Sequence, residues 1–395
     1  MNRAQNKRSW WMPGLAALVL SFAAAGCEVP AKQTGANVIV PSLWITVAGG
    51  GTHTLAIKGD GTLWAWGDNT HGQLGTGDTL GHSKPVQISA ATSWISVSAG
   101  LYHSLALNSS GQLWVWGDNT YGQLGLGFTG APVLVQTPIV GSTWAANSPS
   151  AGCYHSLAVQ LTPTAGVYVW GANDFGQLAN GGGPAPVPTP TLLAVVTTAV
   201  AGCTHNLGID GGGTLYSWGN NDHAQLGFFP APPYFMNSLI NLGLTVSLVA
   251  AGESHSLAVG VPGNSLYGWG SNADGQAGSL PPGDVTVPTL VGAATDWSVI
   301  GAGQFHSVGA RSAAGINTMW GWGRNNIYQL GDTNPDRSVP TPVAPNIGNL
   351  LGVRTGWNHS AAINSSAALF TWGANDKGQL GDGTTVSRPL PKAIP

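Results

Sequence analysis

A Trp-Gly pair recurs seven times along the 395-residue chain, at intervals of 48 to 54 residues. Each motif tryptophan follows a histidine by 13 to 16 residues and precedes an Asn by three residues and a Gln by seven. The tryptophans are Trp66, Trp116, Trp170, Trp218, Trp269, Trp322 and Trp372. The histidines are His53, His103, His155, His205, His255, His306 and His359. Seven copies with these offsets predict a repeat architecture rather than several unrelated domains.

The second repeat shows how one unit folds. Residues 94–100 and 103–107 alternate in polarity, residues 108–111 have a turn sequence, and residues 113–117 alternate again. A short Pro-Val segment, at 85–88 in the first repeat, supplies a fourth strand with proline at its start, as suits a sheet edge. Four short antiparallel strands make one blade. The chain is therefore predicted to be all-β, a seven-bladed β-propeller of about fifty residues per repeat.

A second aromatic residue stands two positions before each motif tryptophan, at Trp64, Trp114, Tyr168, Tyr216, Tyr267, Trp320 and Phe370. A spacing of two puts both rings on the same face of a strand. Packing between blades should bury these rings, at roughly 25 cal/mol per Å² of apolar surface. The two end segments, 43–48 and 389–394, are expected to share one blade and so close the ring.

The repeated unit Ala-Gly-x-x-His-Ser-Leu-Ala-Leu…Gly-x-Leu-Trp-x-Trp-Gly-x-Asn-x-x-Gly-Gln-Leu-Gly resembles the repeat of the regulator of chromosome condensation family, over residues 43–395. The resemblance implies a closed seven-bladed propeller. The family's eukaryotic founder is a nucleotide-exchange factor for a small GTPase that also docks on nucleosomes. Bacterial relatives include a secreted propeller that inhibits β-lactamases. A fold does not carry a function with it, so these activities are expectations only.

Composition and repeat position exclude several classes of function. Charged residues are only 7% of the chain, with 13 basic and 16 acidic residues, so a phosphate-neutralising nucleic-acid surface is not expected. Seven histidines at one repeat position lie on a ring and do not converge as the three or four ligands of a metal must. They are interpreted, with the repeated Asn and Gln, as internal hydrogen-bonding residues. No catalytic or cofactor motif departs from the repeat, so a non-enzymatic protein without cofactors is expected.

The N-terminal residues 1–26 read as a targeting segment. Arg3, Lys7 and Arg8 precede an apolar run that ends in small residues, the order of a bacterial secretory signal. Cys27 follows Ala-Ala-Gly and resembles the lipidated cysteine of bacterial lipoproteins, although Ala24 stands where Leu is usual. We expect a lipid anchor on Cys27, a tether over 27–42, and a location at the outer membrane or cell surface. The alternatives are an ordinary cleaved signal with an incidental Cys, and a periplasmic location.

Cys153 and Cys203 occupy equivalent positions in adjacent repeats, each directly after Ala-Gly. One interpretation is a disulfide that staples the third and fourth blades in an oxidising compartment. The other is two buried thiols. The thiols are slightly favoured, because the gap between blades is expected to exceed the roughly 7 Å Cα limit of a disulfide.

The most apolar departure from the repeat is the segment after Gly227, which reads Phe-Phe-Pro-Ala-Pro-Pro-Tyr-Phe. Its aromatic residues Phe228, Phe229, Tyr234 and Phe235 form either a partner-binding cluster or a cover that folds back on a blade edge.

The function that fits these features best is a monomeric, exported protein-interaction module with an unidentified protein partner, which touches the membrane only through its lipid. An inhibitor of a periplasmic or secreted enzyme and a surface carbohydrate-binding module are the alternatives. Guanine-nucleotide exchange ranks last, because the nearly uniform repeats lack the special loop insertions on which that activity depends.

Overall fold

A computed structural model describes residues 43–182, 185–193, 195–229, 235–343 and 347–395. Within these ranges the chain forms 28 β-strands and no helix. The predicted signal peptide, the tether and Cys27 lie outside the described residues.

The first three blades follow one another along the chain. Blade 1 contains β1 (Trp44–Gly49), β2 (His53–Lys58), β3 (Leu63–Gly67) and β4 (His82–Gln87). Blade 2 contains β5 (Trp94–Ala99), β6 (His103–Asn108), β7 (Leu113–Asn119) and β8 (Gly130–Pro138). Blade 3 contains β9 (Thr143–Trp144), β10 (Ser150–Ala151), β11 (His155–Thr162), β12 (Gly166–Gly171) and β13 (Val187–Leu193). In blade 3 the first strand position is split, because β9 and β10 both pair with β11.

Blades 4 and 5 share one long strand. Blade 4 contains β14 (Thr198–Ala201), β15 (His205–Ile209), β16 (Thr214–Asn220) and the first part of β17 (Phe235–Ala251). Blade 5 contains the last part of β17 with β18 (His255–Gly260), β19 (Ser265–Gly270) and β20 (Val285–Leu290). Pairing with β16 ends at Thr245, and pairing with β18 begins at Val246. One strand is therefore the outermost of blade 4 and then the innermost of blade 5.

The last two blades return to separate sheets. Blade 6 contains β21 (Trp297–Ala302), β22 (His306–Ala313), β23 (Ile316–Gly323) and β24 (Arg337–Pro342). Blade 7 contains β25 (Leu350–Thr355), β26 (His359–Asn364), β27 (Leu369–Gly373) and β28 (Arg388–Ile394). Neighbouring strands in every blade are antiparallel. Over the described residues this gives the predicted all-β architecture of seven blades, and β5 to β7 lie where the second repeat predicts strands.

The core lies between the blades. Leu55 and Ile57 of β2 pack in one buried cluster with Trp94 and Trp116 of the next blade, and comparable clusters occupy the other blade boundaries of the described chain. All seven motif tryptophans are fully buried. As predicted, the aromatic residue two positions earlier shares their face: Trp44 contacts both Trp64 and Trp66, at ring-centroid distances of 6.2 and 5.9 Å.

The ring does not close as the sequence analysis expects. The end segments were expected to share one blade, but β1 pairs within blade 1 and β28 pairs within blade 7. The ends still meet, because Trp44 donates from its backbone nitrogen to Ala367 O (2.9 Å) and from Nε1 to Ile394 O (3.3 Å). Each blade takes all its strands from one continuous stretch of chain, so closure needs only the contacts that join any two blades.

Trp44 therefore carries the contact between the two ends of the chain. Replacing this fully buried ring with Ala should lower the free energy of unfolding by about 3–5 kcal/mol, from lost apolar burial and the cavity left behind. Leu80, which is 67% exposed, is the control. Leu80→Ala should change the free energy of unfolding by less than about 0.5 kcal/mol. Urea denaturation followed by tryptophan fluorescence measures both, and equal midpoints for the two variants would contradict this view of closure.

Candidate functional site

A three-part hydrogen-bond network joins each blade to the next. At the boundary of blades 2 and 3, His103 Nε2 lies 2.8 Å from Ser156 Oγ. The same hydroxyl donates to Gln123 O (2.9 Å), and Trp170 Nε1 donates to that carbonyl as well (2.9 Å). Gln123 and His103 belong to one blade and Ser156 and Trp170 to the other. We call this set of four residues the inter-blade joint.

The inter-blade joint recurs at every blade boundary. The bonds from His Nε2 span 2.7 to 3.0 Å, and they are His53–Ser104, His103–Ser156, His155–Asn206, His205–Ser256, His255–Ser307, His306–Ser360 and His359–Thr54. The last of these joins blade 7 to blade 1, where Thr54 Oγ1 and Trp66 Nε1 both donate to Gln379 O at 2.8 and 2.9 Å. The network is therefore a closed ring that uses the repeated His, Gln and Trp of the sequence.

The partners fix which ring nitrogen of each joint histidine donates. A carbonyl can only accept, so the Asn206 amide nitrogen must donate to Gln177 O, which leaves Oδ1 to accept from His155 Nε2–H. The serine hydroxyls likewise give their single proton to a carbonyl and accept from the histidine. No protein partner reaches Nδ1 of these seven rings within the described residues. Each ring therefore carries a proton on Nε2, and its Nδ1 has no acceptor that would hold a second proton.

Burial reinforces this neutral state. The rings are fully buried, which lowers the histidine pKa to about 3 at five positions and to about 4 at His155 and His359. Adjacent joint histidines lower several of these pKa values further. A glycine three residues before each histidine makes room for the ring: at Gly100, a Cβ would lie 2.5 Å from His103 Nδ1. The part of the chain that the structure describes holds no cluster of three or more metal-ligating side chains.

The repeated Asn and Gln close the loop that follows the third strand, as the sequence suggests. In blade 1, Asn69 Oδ1 accepts from Leu74 N (2.9 Å) and Gln73 Oε1 accepts from His71 N (2.8 Å). With its side chain bound locally, the Gln backbone carbonyl is held in place for the inter-blade joint.

The innermost strands surround an axial channel with a cavity volume of about 240 Å³. One opening is edged by the turn between the first and second strands of each blade. We call this edge the mouth ring, and its members are Gly51, Leu101, Cys153, Cys203, Glu253, Gln304 and Trp357. Backbone hydrogen bonds such as Cys203 N to Gly252 O (3.0 Å) and Gln304 N to Trp357 O (3.0 Å) run from blade to blade around it.

Cys153 and Cys203 form a disulfide in the mouth ring, with 4.4 Å between their Cα atoms. The expectation that the gap between blades is too wide for a disulfide is therefore wrong. Cys153 N also donates to Cys203 O (3.1 Å), so adjacent blades meet at backbone distance here. The sequence could not supply this distance, because it depends on how near the axis the turns lie.

The apolar segment after Gly227 is only partly described. Phe229 is 75% exposed, Phe228 is half-buried, and Phe235 is half-buried in β17 opposite Asn220. Tyr234 lies outside the described residues. Of the four predicted partner-binding residues, the structure thus leaves Phe229 open to solvent and packs Phe228 and Phe235 partly against the blade.

Phe229 lies on what we call the mouth face, the side of the ring that carries the mouth ring. The loops after the third strands reach this face, since the chain reverses direction at each turn. The same loops carry exposed Leu80, Phe128 and Leu280 in other blades. A half-buried aromatic group also lies there: His71 stacks on Tyr102 at 4.4 Å, and Tyr154 contacts Tyr121 at 5.2 Å. The sequence pattern did not predict this aromatic group, although Tyr102 and Tyr154 directly precede joint histidines. His71 and Tyr121 each lie two residues after a repeated Asn.

Nothing in the described part of the chain forms a helix long and apolar enough to cross a membrane.

Comparison with known proteins agrees with this architecture. A model described as the regulator of chromosome condensation (RCC1) repeat matches residues 60–107, 110–159, 165–209, 212–259, 317–363 and 366–395. A second model of the same description matches residues 44–73, 94–123, 246–276 and 352–379. Together they match far more than half of the chain.

Similar proteins differ widely in their overall length. The chain is 32% identical to the ultraviolet-B receptor UVR8 of Arabidopsis thaliana over 256 residues, 62% of this chain and 57% of that protein. It is 27% identical to the human E3 ubiquitin-protein ligase HERC2 over 361 residues, 86% of this chain and 7% of that protein. The chain thus spans little more than half of the first relative and a small part of the second.

Two solved structures show the same fold. Yeast RCC1 (Prp20), in its structure bound to Kap60, superimposes with a TM-score of 0.74 at 21% identity, over 100% of this chain and 91% of that chain. Human WBSCR16 gives a TM-score of 0.71 at 21% identity, over 84% of this chain and 93% of that chain. Identities this low establish the architecture alone.

Acid should unfold the ring between about pH 6 and pH 4. The joint histidines have a folded pKa of about 3 or 4, whereas the unfolded chain binds protons near pH 6.5. As the pH falls below 6.5 the unfolded state takes up protons first, and each joint histidine costs about 1.4 kcal/mol of stability per pH unit. Near-UV circular dichroism from pH 8 to pH 3 measures the transition, and a native spectrum retained at pH 3 would contradict the buried neutral state.

The disulfide should stabilise the ring appreciably. It links residues 50 apart in sequence, and loops of this size give about 2–4 kcal/mol on closure. Cys153→Ser with Cys203→Ser should therefore lower the melting temperature, and a reducing agent should lower that of the native protein but not that of the variant. Calorimetry with and without reductant tests this, and recovery of free thiols at both Cys153 and Cys203 in the oxidised native protein would exclude the bond.

Proposed function

Because the chain belongs to the regulator of chromosome condensation (RCC1) repeat family, we propose that it is a non-enzymatic binding module whose mouth face holds a protein partner. One observation carries the proposal: the polar side chains common to the repeats are used within the ring. The joint His, the serine after it and the repeated Asn and Gln all bond inside the scaffold, which leaves none of them for catalysis. Several residues that differ between blades, among them Glu253, Trp357 and Phe229, lie on the mouth face and are outside this network.

Exposed apolar side chains support a protein partner. Phe229, Leu80 and Leu280 are 66 to 75% exposed on loops of the mouth face, and large exposed apolar residues are typical anchors in protein interfaces. A chain of the same fold, yeast RCC1 (Prp20), has been solved bound to a protein, Kap60. The partner of this chain is a separate question that the fold does not answer.

Export and lipid anchoring belong to the same proposal. The order of charged, apolar and small residues before Cys27 supports a lipoprotein signal. A disulfide between Cys153 and Cys203 is consistent with an oxidising compartment outside the cytoplasm. In this view the ring is a monomer held at the cell envelope, at the outer membrane or cell surface, by its N-terminal lipid.

The partner proposal is tested by affinity capture from the native cell envelope with the full chain as bait. Phe229→Ser should strongly reduce recovery of the partner, because it replaces an exposed anchor of the mouth face. Val140→Ser is the matched control, since Val140 is 81% exposed on a connection between blades at the opposite side. Equal recovery of every captured protein with both variants would remove Phe229 from the interface.

The anchor is tested by metabolic labelling with radioactive palmitate. The native protein should incorporate label, and Cys27→Ser should abolish it. Cys203→Ser is the control that removes a cysteine without touching the predicted lipid site, and it should remain labelled. A native protein that takes up no label would support an ordinary cleaved signal instead.

A further inference from the structure

The seven residues of the mouth ring differ in their side-chain chemistry, and Glu253 is the one that carries a carboxyl group. The other six positions carry Gly51, Leu101, Gln304, Trp357 and the two disulfide cysteines. Backbone hydrogen bonds fix these positions, including Glu253 N to Gly303 O (3.2 Å) and Trp357 N to Gly50 O (3.1 Å). Side chains on this edge are therefore presented from a rigid frame.

The Glu253 carboxylate has a hydrogen-bond donor for only one of its two oxygens. Asn358 Nδ2 donates to Gln304 Oε1 (3.0 Å), which turns the Gln304 amide nitrogen toward Glu253, and the two side chains hydrogen-bond. The second carboxylate oxygen, Oε2, is buried and has no donor among the described residues. Burial raises the pKa of this carboxyl above its usual value. A buried oxygen that has lost its hydration and has no protein donor is costly to the fold. A ligand that donates a hydrogen bond to Glu253 Oε2 would remove that cost.

The neighbouring cations do not fill this role. Arg324 donates to both carboxylate oxygens of Asp274, at 2.9 and 3.0 Å, and its guanidinium lies 4.0 Å from the Phe305 ring centre. His223 lies 3.1 Å from Asp284. Arg354, further along the channel wall, donates to Val353 O (2.9 Å). Arg324 and His223 each pair with another carboxylate, and neither forms an ion pair with Glu253 among the described residues.

An aromatic residue lies two places from Glu253 on the same edge. Gln304 N donates to Trp357 O (3.0 Å), so Glu253, Gln304 and Trp357 occupy three consecutive places on the mouth ring. The Trp357 side chain is half-buried at the channel opening. A carboxylate and an indole ring on one edge of an opening can both serve an organic cation, which gains a charge-assisted hydrogen bond from the carboxylate and a cation–π contact from the ring.

We propose that the channel mouth at Glu253, Gln304 and Trp357 is a binding site for the guanidinium or ammonium group of an Arg or Lys side chain presented by a protein partner. The proposal rests on the proposed function, and it adds the chemistry of the partner. The channel has a cavity volume of about 240 Å³ and opens at these residues, which gives a side chain room to enter it. Exposed Phe229 and Phe128 on the surrounding loops would contact the partner outside the mouth.

The test uses Nα-acetyl-L-arginine amide as the probe and Nα-acetyl-L-citrulline amide as its neutral isostere, titrated onto the purified full chain by ligand-observed NMR. The arginine probe should bind at least tenfold more tightly than the citrulline probe. Glu253→Gln should remove that preference. Asp284→Asn, which deletes a negative charge from the same blade away from the channel, should keep it. Both variants should retain the native near-UV circular dichroism spectrum.

Equal binding of the two probes, or an arginine preference that survives Glu253→Gln, would overturn the site. The outcome is separable from that of envelope capture. If a partner is captured through Phe229 and the arginine probe does not bind, the cation site fails while the binding module stands. If the probe binds in a Glu253-dependent manner and no partner is captured, the cation site stands and the proposed protein-binding function fails.

Discussion

The structure depends on one neutral hydrogen bond repeated around a ring. A buried histidine donates from Nε2 to a hydroxyl or amide oxygen of the next blade, and that group donates in turn to a carbonyl of the first blade. The arrangement works only while the imidazole is uncharged, because charging it in a dry interface would be costly. The buried tryptophan, which shares the same carbonyl, adds apolar area to each polar joint. Polar and apolar contacts thus stabilise the same boundary.

Much of this could be read from the sequence. The fixed spacing of His, Trp, Asn and Gln predicted seven blades, buried tryptophans and an internal role for His103 and its equivalents. Distances that depend on the radius of the ring could not be predicted. Cys153 and Cys203 were expected to lie too far apart for a disulfide. Their Cα atoms are in fact 4.4 Å apart, because the turns that carry them lie close to the propeller axis. A blade shared by both ends was expected, whereas His359 and Thr54 close the ring through the ordinary joint. The run from Phe235 to Ala251 forms one strand although its register shifts around Gly243 and its partner changes after Thr245, and the sequence did not predict this sharing between blades.

A scaffold of this kind separates stability from function. The repeated residues are buried in the joints, so the loops and turns of the mouth face can differ between blades without disturbing the ring. The candidate site is made of such differences: Glu253 where other blades have neutral residues, Trp357 two places along the mouth ring, and exposed Phe229 on a loop of the mouth face. The sequence repeat predicted the propeller. The candidate site could be recognised only in the structure, which brings residues of neighbouring blades together. Departures from a repeat are therefore the informative positions in such a chain.

The most direct test of the joint is the protonation state of its histidines, measured by long-range ¹H–¹⁵N NMR of the imidazole rings near pH 6. The account predicts that seven of the ten histidines are neutral with the proton on Nε2 and show no titration while the protein remains folded. The other three, His71, His82 and His223, are not joint residues and serve as internal references. Joint histidines that carry the proton on Nδ1, or that titrate near pH 6.5 in the folded protein, would contradict it.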